Sequence, residues 1–266
     1  MSDHAQAAEC YADVTCTHPS LGPAGDAFNA RFTADCYRDF MRQWAQAINR
    51  FVAWETGVYT LYYSPGTASM VVHLALLEIG CPHRLEKVDF DTDAQHSPEY
   101  LRINPRGQVP TLVIDGKAYF ESAALLMLLA ERHPEAKLAP PVGSALRADW
   151  YQWIVFFSNS LAATYRYWFY APDLGAAEHT PAQRQALQHR IEGAWGLVDA
   201  HLQAHGPYML GTEFYGVDLL ATMLMRWSRN MPRPATEWPA LRQLAGLVRA
   251  RPSWKTLYER EGLTEW

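Results

Sequence analysis

The sequence lacks any run close to the roughly eighteen consecutive apolar residues that a bilayer-spanning helix needs, although 49% of its residues are hydrophobic. The apolar residues are therefore expected in a folded core, without a membrane. Cysteine is scarce. The four present, Cys10, Cys16, Cys36 and Cys81, show neither a CxxC spacing nor a metal-like pairing, so reduced thiols and no bound metal are expected. There is no excess of positive charge: 23 Lys and Arg stand against 28 Asp and Glu. That balance gives no electrostatic footprint for nucleic acid. The opening "MSDHAQAAEC" has no basic or apolar leader segment. Together with unpaired thiols this predicts a cytoplasmic protein. There is no internal repeat and no low-complexity tract.

What is present falls into three zones. Residues 1–57 read as an extension that is turn-rich at first and partly disordered. Its second half, "TADCYRDFMRQWAQAINRFVAW", carries one helical pattern, with Thr33 as N-cap and Phe40, Trp44, Ala47, Ile48 and Phe51 on one face. Residues 58–137 alternate strand and helix. "VYTLYY" reads as a strand, "SMVVHLALLEIG" as a helix closed by Gly80, "HRLEKVDF" as a second strand and "SPEYLRIN" as a short helix. "TLVIDGKAYF" holds Asp115-Gly116 between two strand-like runs, a strong hairpin signal, and "SAALLMLLAERHP" follows as a helix. A βαβ crossover gives parallel strands and the hairpin gives antiparallel ones, so the sheet is mixed, in a thioredoxin-like pattern.

Beyond the Pro-rich linker "KLAPPVGS" the pattern is helical, and residues 144–262 are expected to form an all-α domain. Thr180, Pro181 and Gln183 make an N-terminal capping box, Leu187, Ile191, Ala194, Val198 and Leu202 form one apolar stripe, and Gly206 ends it. The fold class is thus α/β plus all-α.

Three motifs carry chemistry. The first is the strand-to-helix corner "YYSPGTAS", with Tyr63, Thr67 and Ser69. The second is "NPRGQVPTL", with Gln108, Val109 and Pro110. The third is Glu121-Ser122 at a helix start. In this order, on this scaffold and before an all-helical domain, they resemble the glutathione transferase family over about residues 58–262. The likeness is greatest to bacterial members, including the beta class. The resemblance implies that glutathione is co-substrate, that Pro110 is cis, and that Val109 pairs with the cysteinyl unit like a short extra strand. Glu121 would accept from the γ-glutamyl ammonium. Ser122 and the first N–H groups of its helix would meet the carboxylate. Gln108 can bond the ligand backbone and Arg106 the glycyl carboxylate.

The corner offers two hydroxyls. Thr67 maps to the position of an activating serine in some members, so it is expected to stabilise the thiolate. Ser69 is expected to cap the helix and donate to the ligand only secondarily. Tyr63 is expected to pack, with a hydroxyl that could reach the cleft as a further catalytic candidate. His73, a full turn further on, is expected to pack. In "DWYQWIVFFSNSLAATYRYWFYAP", ten residues from Trp150 to Tyr170 are aromatic. Trp153, Phe156 and Phe157 should face the core. Asn159, Ser160, Tyr165, Tyr167, Trp168 and Tyr170 are candidates for an apolar second-substrate pocket.

Two departures stand out. Beta-class members carry a cysteine where Ala68 stands, so a mixed disulfide with glutathione cannot form at this position. In "GTEFYGVDLL" the resemblance points to a capping box, but Tyr215 takes the place of a short hydroxyl before Asp218. A suboptimal cap is expected there. The function these features imply is conjugation of glutathione to a hydrophobic electrophile by a homodimer. The alternatives are isomerisation or dehalogenation on the same site, or a non-catalytic binding protein.

Overall fold

The computed structural model describes residues 59–266. The extension at 1–57, its helical pattern and Cys10, Cys16 and Cys36 lie outside those residues. Strand β1 (Tyr59–Tyr63) leads through the Ser64–Ser69 turn into helix α1 (Met70–Ile79) and strand β2 (His83–Lys87). After two 3₁₀ turns, the short helix α2 (Pro98–Leu101) is capped by Ser97, whose Oγ accepts from Tyr100 N–H at 3.2 Å. The hairpin β3 (Thr111–Ile114) to β4 (Lys117–Phe120) turns on Asp115 and Gly116, with φ of 51° and 77°. Those positive angles are what an Asp-Gly hairpin turn requires. Helix α3 (Ser122–Arg132) closes this half.

The sheet order is β2-β1-β3-β4. β1 and β2 run parallel, and both other pairings are antiparallel. This is the mixed thioredoxin-like sheet, and the rest of the chain is helical: α4 (Leu146–Phe156), a π turn (Phe157–Ala162), α5 (Ala163–Phe169), α6 (Pro181–His205), α7 (Gly216–Trp227), α8 (Pro239–Arg249) and α9 (Pro252–Glu261). The Thr180 capping box forms with both bonds, Gln183 N–H to Thr180 Oγ1 at 3.2 Å and Thr180 N–H to Gln183 Oε1 at 2.9 Å. Ile191, Val198 and Leu202 of the stripe are buried, joined by Trp195.

Helix α1 is apolar all round because it is packed all round. Every residue from Met70 to Leu76 is buried, against α3 on one side and α7 and α9 on the other. One continuous core therefore runs from the sheet into the helical half. Gly216 allows α7 to approach α3 closely, since a Cβ there would lie 2.9 Å from Leu126 Cδ1.

An ion pair bolts α1 to the start of α9. Arg251 Nε and Nη2 each reach a Glu78 carboxylate oxygen at 2.7 Å, and Ser253 Oγ donates to the same carboxylate. Burial alone would raise the Glu78 pKa, but the Arg251 and Ser253 bonds overrule it and hold the carboxyl below its ordinary 4.5. A lowered folded-state pKa contributes stability that is present above the ordinary value and lost as pH falls through the folded one. Glu78→Gln should therefore cost about 2 kcal/mol at neutral pH, the scale of a charge-assisted bond. The loss should shrink as pH falls below about 4.5. Melting curves of both proteins across that range check it, and parallel pH profiles would refute the assignment.

Candidate functional site

The Ser64–Ser69 turn is held from within by hydroxyls. Thr67 Oγ1 donates to Ser64 C=O at 2.7 Å, Ser69 Oγ donates to the same carbonyl at 3.0 Å, and the two hydroxyl oxygens lie 2.9 Å apart. Ser69 is fully buried. Its hydroxyl makes no bond to the first turn of α1, so the expected helix cap is not there. The reason is geometric. Ser69 already has helical backbone angles, φ −69° and ψ −22°, which point its side chain back at Ser64 rather than forward over the helix end. Thr67 is only half-buried. Tyr63 packs against the core as expected, its phenol pKa raised by burial and by the Glu261 charge.

The same turn is clamped from outside by the C-terminal helices. Gly66 N–H donates to Glu261 Oε2 at 3.0 Å, and Trp227 Nε1–H donates to Gly66 C=O at 3.2 Å. Gly66 has φ of 71°, an angle that calls for glycine, and a Cβ there would sit 2.9 Å from Arg226 Nη1. Glu261 also takes His73 Nδ1–H at 2.8 Å, with both side chains wholly buried. His73 packs, as expected, but it packs as half of a polar pair.

The second motif is a braced loop. Asn104, 1% exposed, and Tyr100 both donate to Gln108 C=O, at 2.8 and 2.7 Å, and both also contact Thr111 Oγ1. Val109-Pro110 is cis. The N–H and C=O of Val109 bond to no described residue. Sequence reasoning missed Asn104 and Tyr100, although an Asn beside a Pro-Gly loop is a common turn-bracing signal.

At the third motif Glu121 has φ of 76°, a sparsely populated angle for a residue with a side chain. Its exposed carboxylate pairs with Arg106 Nη1 at 3.4 Å, and Arg106 Nη2 reaches Gln108 Oε1 at 3.4 Å. Arg106, Gln108 and Glu121 are thus brought together. Ser122 differs from expectation: its hydroxyl donates to Ala68 C=O at 2.9 Å, tying α3 to the turn. That leaves the first N–H groups of α3, which have no intrahelical acceptor, as the open donors.

The six pocket candidates do not converge. Tyr165 is fully buried, its oxygen accepting from Trp195 Nε1–H at 2.9 Å, and Trp168 is 9% exposed. Tyr167 and Tyr170 point outward, Tyr170 under the Arg166 guanidinium. Asn159 is exposed, while Ser160 is half-buried with its carbonyl accepting from Thr164. A helix cannot turn residues two apart to one face, and these six lie on both sides. The aromatics nearest the turn are ones the sequence reading left out. Trp227 bonds Gly66 and stands edge-on to Tyr165 and to half-exposed Phe169, at 5.8 and 6.3 Å.

Comparison with known proteins meets this geometry. The family model "Glutathione S-transferase, N-terminal domain" matches residues 67–132, from the turn to the end of α3. The glutathione S-transferase GST-4.5 of Xanthomonas campestris is 32% identical over 178 residues, which is 64% of this chain and 82% of that protein. The chain belongs to the glutathione S-transferase family. A glutathione transferase from Methylococcus capsulatus superposes with a TM-score of 0.70 at 28% identity, covering 78% of this chain and 100% of that one. A sphingomonad glutathione S-transferase complexed with glutathione gives a TM-score of 0.69 at 26% identity, covering 77% and 100%. In this glutathione S-transferase the three motifs are joined by the Ser122–Ala68 and Arg106–Glu121 contacts. No helix among its described residues is long and apolar enough to cross a membrane.

Proposed function

We propose that this glutathione S-transferase, with glutathione as its co-substrate, transfers the tripeptide's thiolate to a hydrophobic electrophile. It does so as a cytoplasmic homodimer. The observation that carries the reading is the double donation to Ser64 C=O. Because Ser69 Oγ also donates there, Thr67 can turn its proton to a sulfur without leaving that carbonyl bare. The Thr67 hydroxyl and the N-terminus of α1 then favour the thiolate, lowering the thiol pKa from its usual value of about 8.5. Proximity to a bound electrophile supplies much of the remaining acceleration.

The tripeptide is read onto the other two motifs. Val109 offers its free N–H and C=O to the cysteinyl unit, and Gln108 bonds the backbone. Glu121 exchanges Arg106 for the γ-glutamyl ammonium, and the first N–H groups of α3 take the γ-glutamyl carboxylate. Arg106 is then free for the glycyl carboxylate. A dimer is supported by apolar surface left open: Tyr151 and Val155, one turn apart on α4, are 40% and 49% exposed.

Thr67→Ala should raise the bound thiol's pKa by at least about one unit, worth about 1.4 kcal/mol. Turnover should fall at neutral pH and recover as pH rises, because the lost bond serves only the thiolate. Ser69→Ala should mainly lower thermal stability, since it removes two anchors of the turn. Ultraviolet titration of bound glutathione at the thiolate band measures the first effect, and thermal melting measures the second. A thiol pKa unmoved by Thr67→Ala would transfer the role to backbone N–H groups.

A further inference from the structure

Arg226 is the most unusual charge near the turn. It is 4% exposed, it lies against Gly66, and its Nε donates to Tyr258 Oη at 3.0 Å. Its two Nη groups make no hydrogen bond to a described residue, and no described carboxylate comes within ion-pair distance. One turn on, Arg229 also forms no ion pair among the described residues. Its Nη1 donates to Arg226 C=O at 3.1 Å, and its Nε is buried without a partner. Burial, and then the Arg226 charge, hold the Arg229 pKa below its ordinary value, with Glu265 and Tyr258 acting the other way.

A buried cation beside a half-buried one is unfavourable unless an anion joins them. The nearby carboxylate of Glu261 is already committed to His73 and Gly66 N–H. Between the two arginines in sequence stands Trp227, whose ring meets half-exposed Phe169 beside the thiol-binding turn. Trp227 and Arg226 both touch Gly66, so aromatic surface and the Arg226 guanidinium flank the same turn.

We propose that Arg226 and Arg229 form an anion-accepting subsite that selects aromatic electrophiles carrying a carboxylate. This rests on the transferase reading above and names its substrate class. The ring lies on Phe169 and Trp227, and its carboxylate meets the two guanidinium groups, which bind carboxylate oxygens as paired donors. With 4-chloro-3-nitrobenzoate the thiolate sulfur attacks the ring carbon bearing chlorine. The C–S bond forms, the C–Cl bond breaks, chloride leaves with the electron pair, and the thiol proton has already passed to solvent.

The test compares kcat/KM for 4-chloro-3-nitrobenzoate with that for the neutral 1-chloro-2,4-dinitrobenzene at saturating glutathione. Calorimetry of 3-nitrobenzoate, with S-methylglutathione bound, gives an affinity that needs no turnover. The preference for the anionic ring, and the nitrobenzoate affinity, should each fall about tenfold in Arg226→Gln and in Arg229→Gln. Arg229→Lys should keep most of both. Salt at about 1 M, where charges are screened beyond about 3 Å, should shrink the preference in the wild type. Half-buried Arg229 keeps the test open if Arg226→Gln does not fold. Wild-type protein that binds no nitrobenzoate overturns the subsite, as does an unchanged preference in a folded Arg229→Gln. So does a loss confined to glutathione affinity, which would make Arg226 a counter-charge of the turn. Arginine-dependent nitrobenzoate binding without turnover of either ring would sustain the subsite and remove the transferase reading.

Discussion

Glu261→Ala should unfold this protein at a denaturant free energy about 2–5 kcal/mol below the wild type, because two donors lose their acceptor at about 1–3 kcal/mol each. The Glu261 side chain has no exposure and serves two buried donors on different elements, His73 on α1 and Gly66 in the turn. An ionised carboxylate only accepts, so Nδ1 of His73 must carry the shared hydrogen. His73 Nε2 has no partner among the described residues. Truncating Glu261 would strip the ring of its remaining bond and leave Gly66 N–H bare as well. Glu261→Gln should cost less, about 1–2 kcal/mol, because its amide oxygen still accepts one of the two bonds. Function should follow the same clamp. With Gly66 released, Thr67 loses its fixed orientation, and the bound thiol's pKa should rise in Glu261→Gln even where the protein remains folded. Urea unfolding and the thiolate titration measure the two effects. Wild-type stability in Glu261→Ala would show that the carboxylate is not structural.

The clamp also marks where reading the sequence stops. Features coded within three or four residues were legible: the Thr180–Gln183 box, the Asp115-Gly116 hairpin and the Gly80 stop all form as read. The three motifs were legible because each is a short string on one element. Gly66 and Glu261 stand 195 positions apart, and Glu78 and Arg251 stand 173 apart. No local pattern announces such a pair, because only the docking of α9 on α1 brings the partners together. Ser122 and Ser69 were misread for a related reason. Composition places a hydroxyl at a helix start, but backbone angles and neighbouring carbonyls decide where it points. The aromatic stretch failed on periodicity. Trp150, Ile154, Phe157, Leu161, Tyr165 and Trp168 recur at three to four residues and are buried, so the accessible aromatics of the stretch are Tyr151, Tyr167, Phe169 and Tyr170 rather than Tyr165 or Trp168.

Tyr215 is no side-chain cap, as the sequence reads, but its ring is buried, and its substitution makes a large effect measurable. As the sequence reads, a phenol cannot cap a helix, so Tyr215→Ser ought to add a capping hydroxyl worth about 1 kcal/mol. The structure agrees that the phenol does not cap: Tyr215 Oη reaches Glu213 at 3.3 Å, and Asp218 N–H bonds the Tyr215 carbonyl at 3.0 Å. Yet the box is only half missing. Asp218 accepts from Tyr215 N–H and from Met209 N–H, each at 2.8 Å, and thereby holds both the start of α7 and the loop before it. The Tyr215 ring, meanwhile, is 6% exposed and part of the main core. Deleting a buried aromatic ring costs about 3–5 kcal/mol, which exceeds the gain from a new cap several-fold. Tyr215→Ser should therefore destabilise the protein by about 2–4 kcal/mol, lowering the melting temperature by on the order of 10 °C in a domain of this size. Tyr215→Phe keeps the ring and gives up only the long bond to Glu213, so it should melt close to the wild type. Calorimetric scans of the three proteins separate the contributions. A rise in melting temperature for Tyr215→Ser would mean that the hydroxyl outweighs the ring. A large fall for Tyr215→Phe would move the weight to the Glu213 bond.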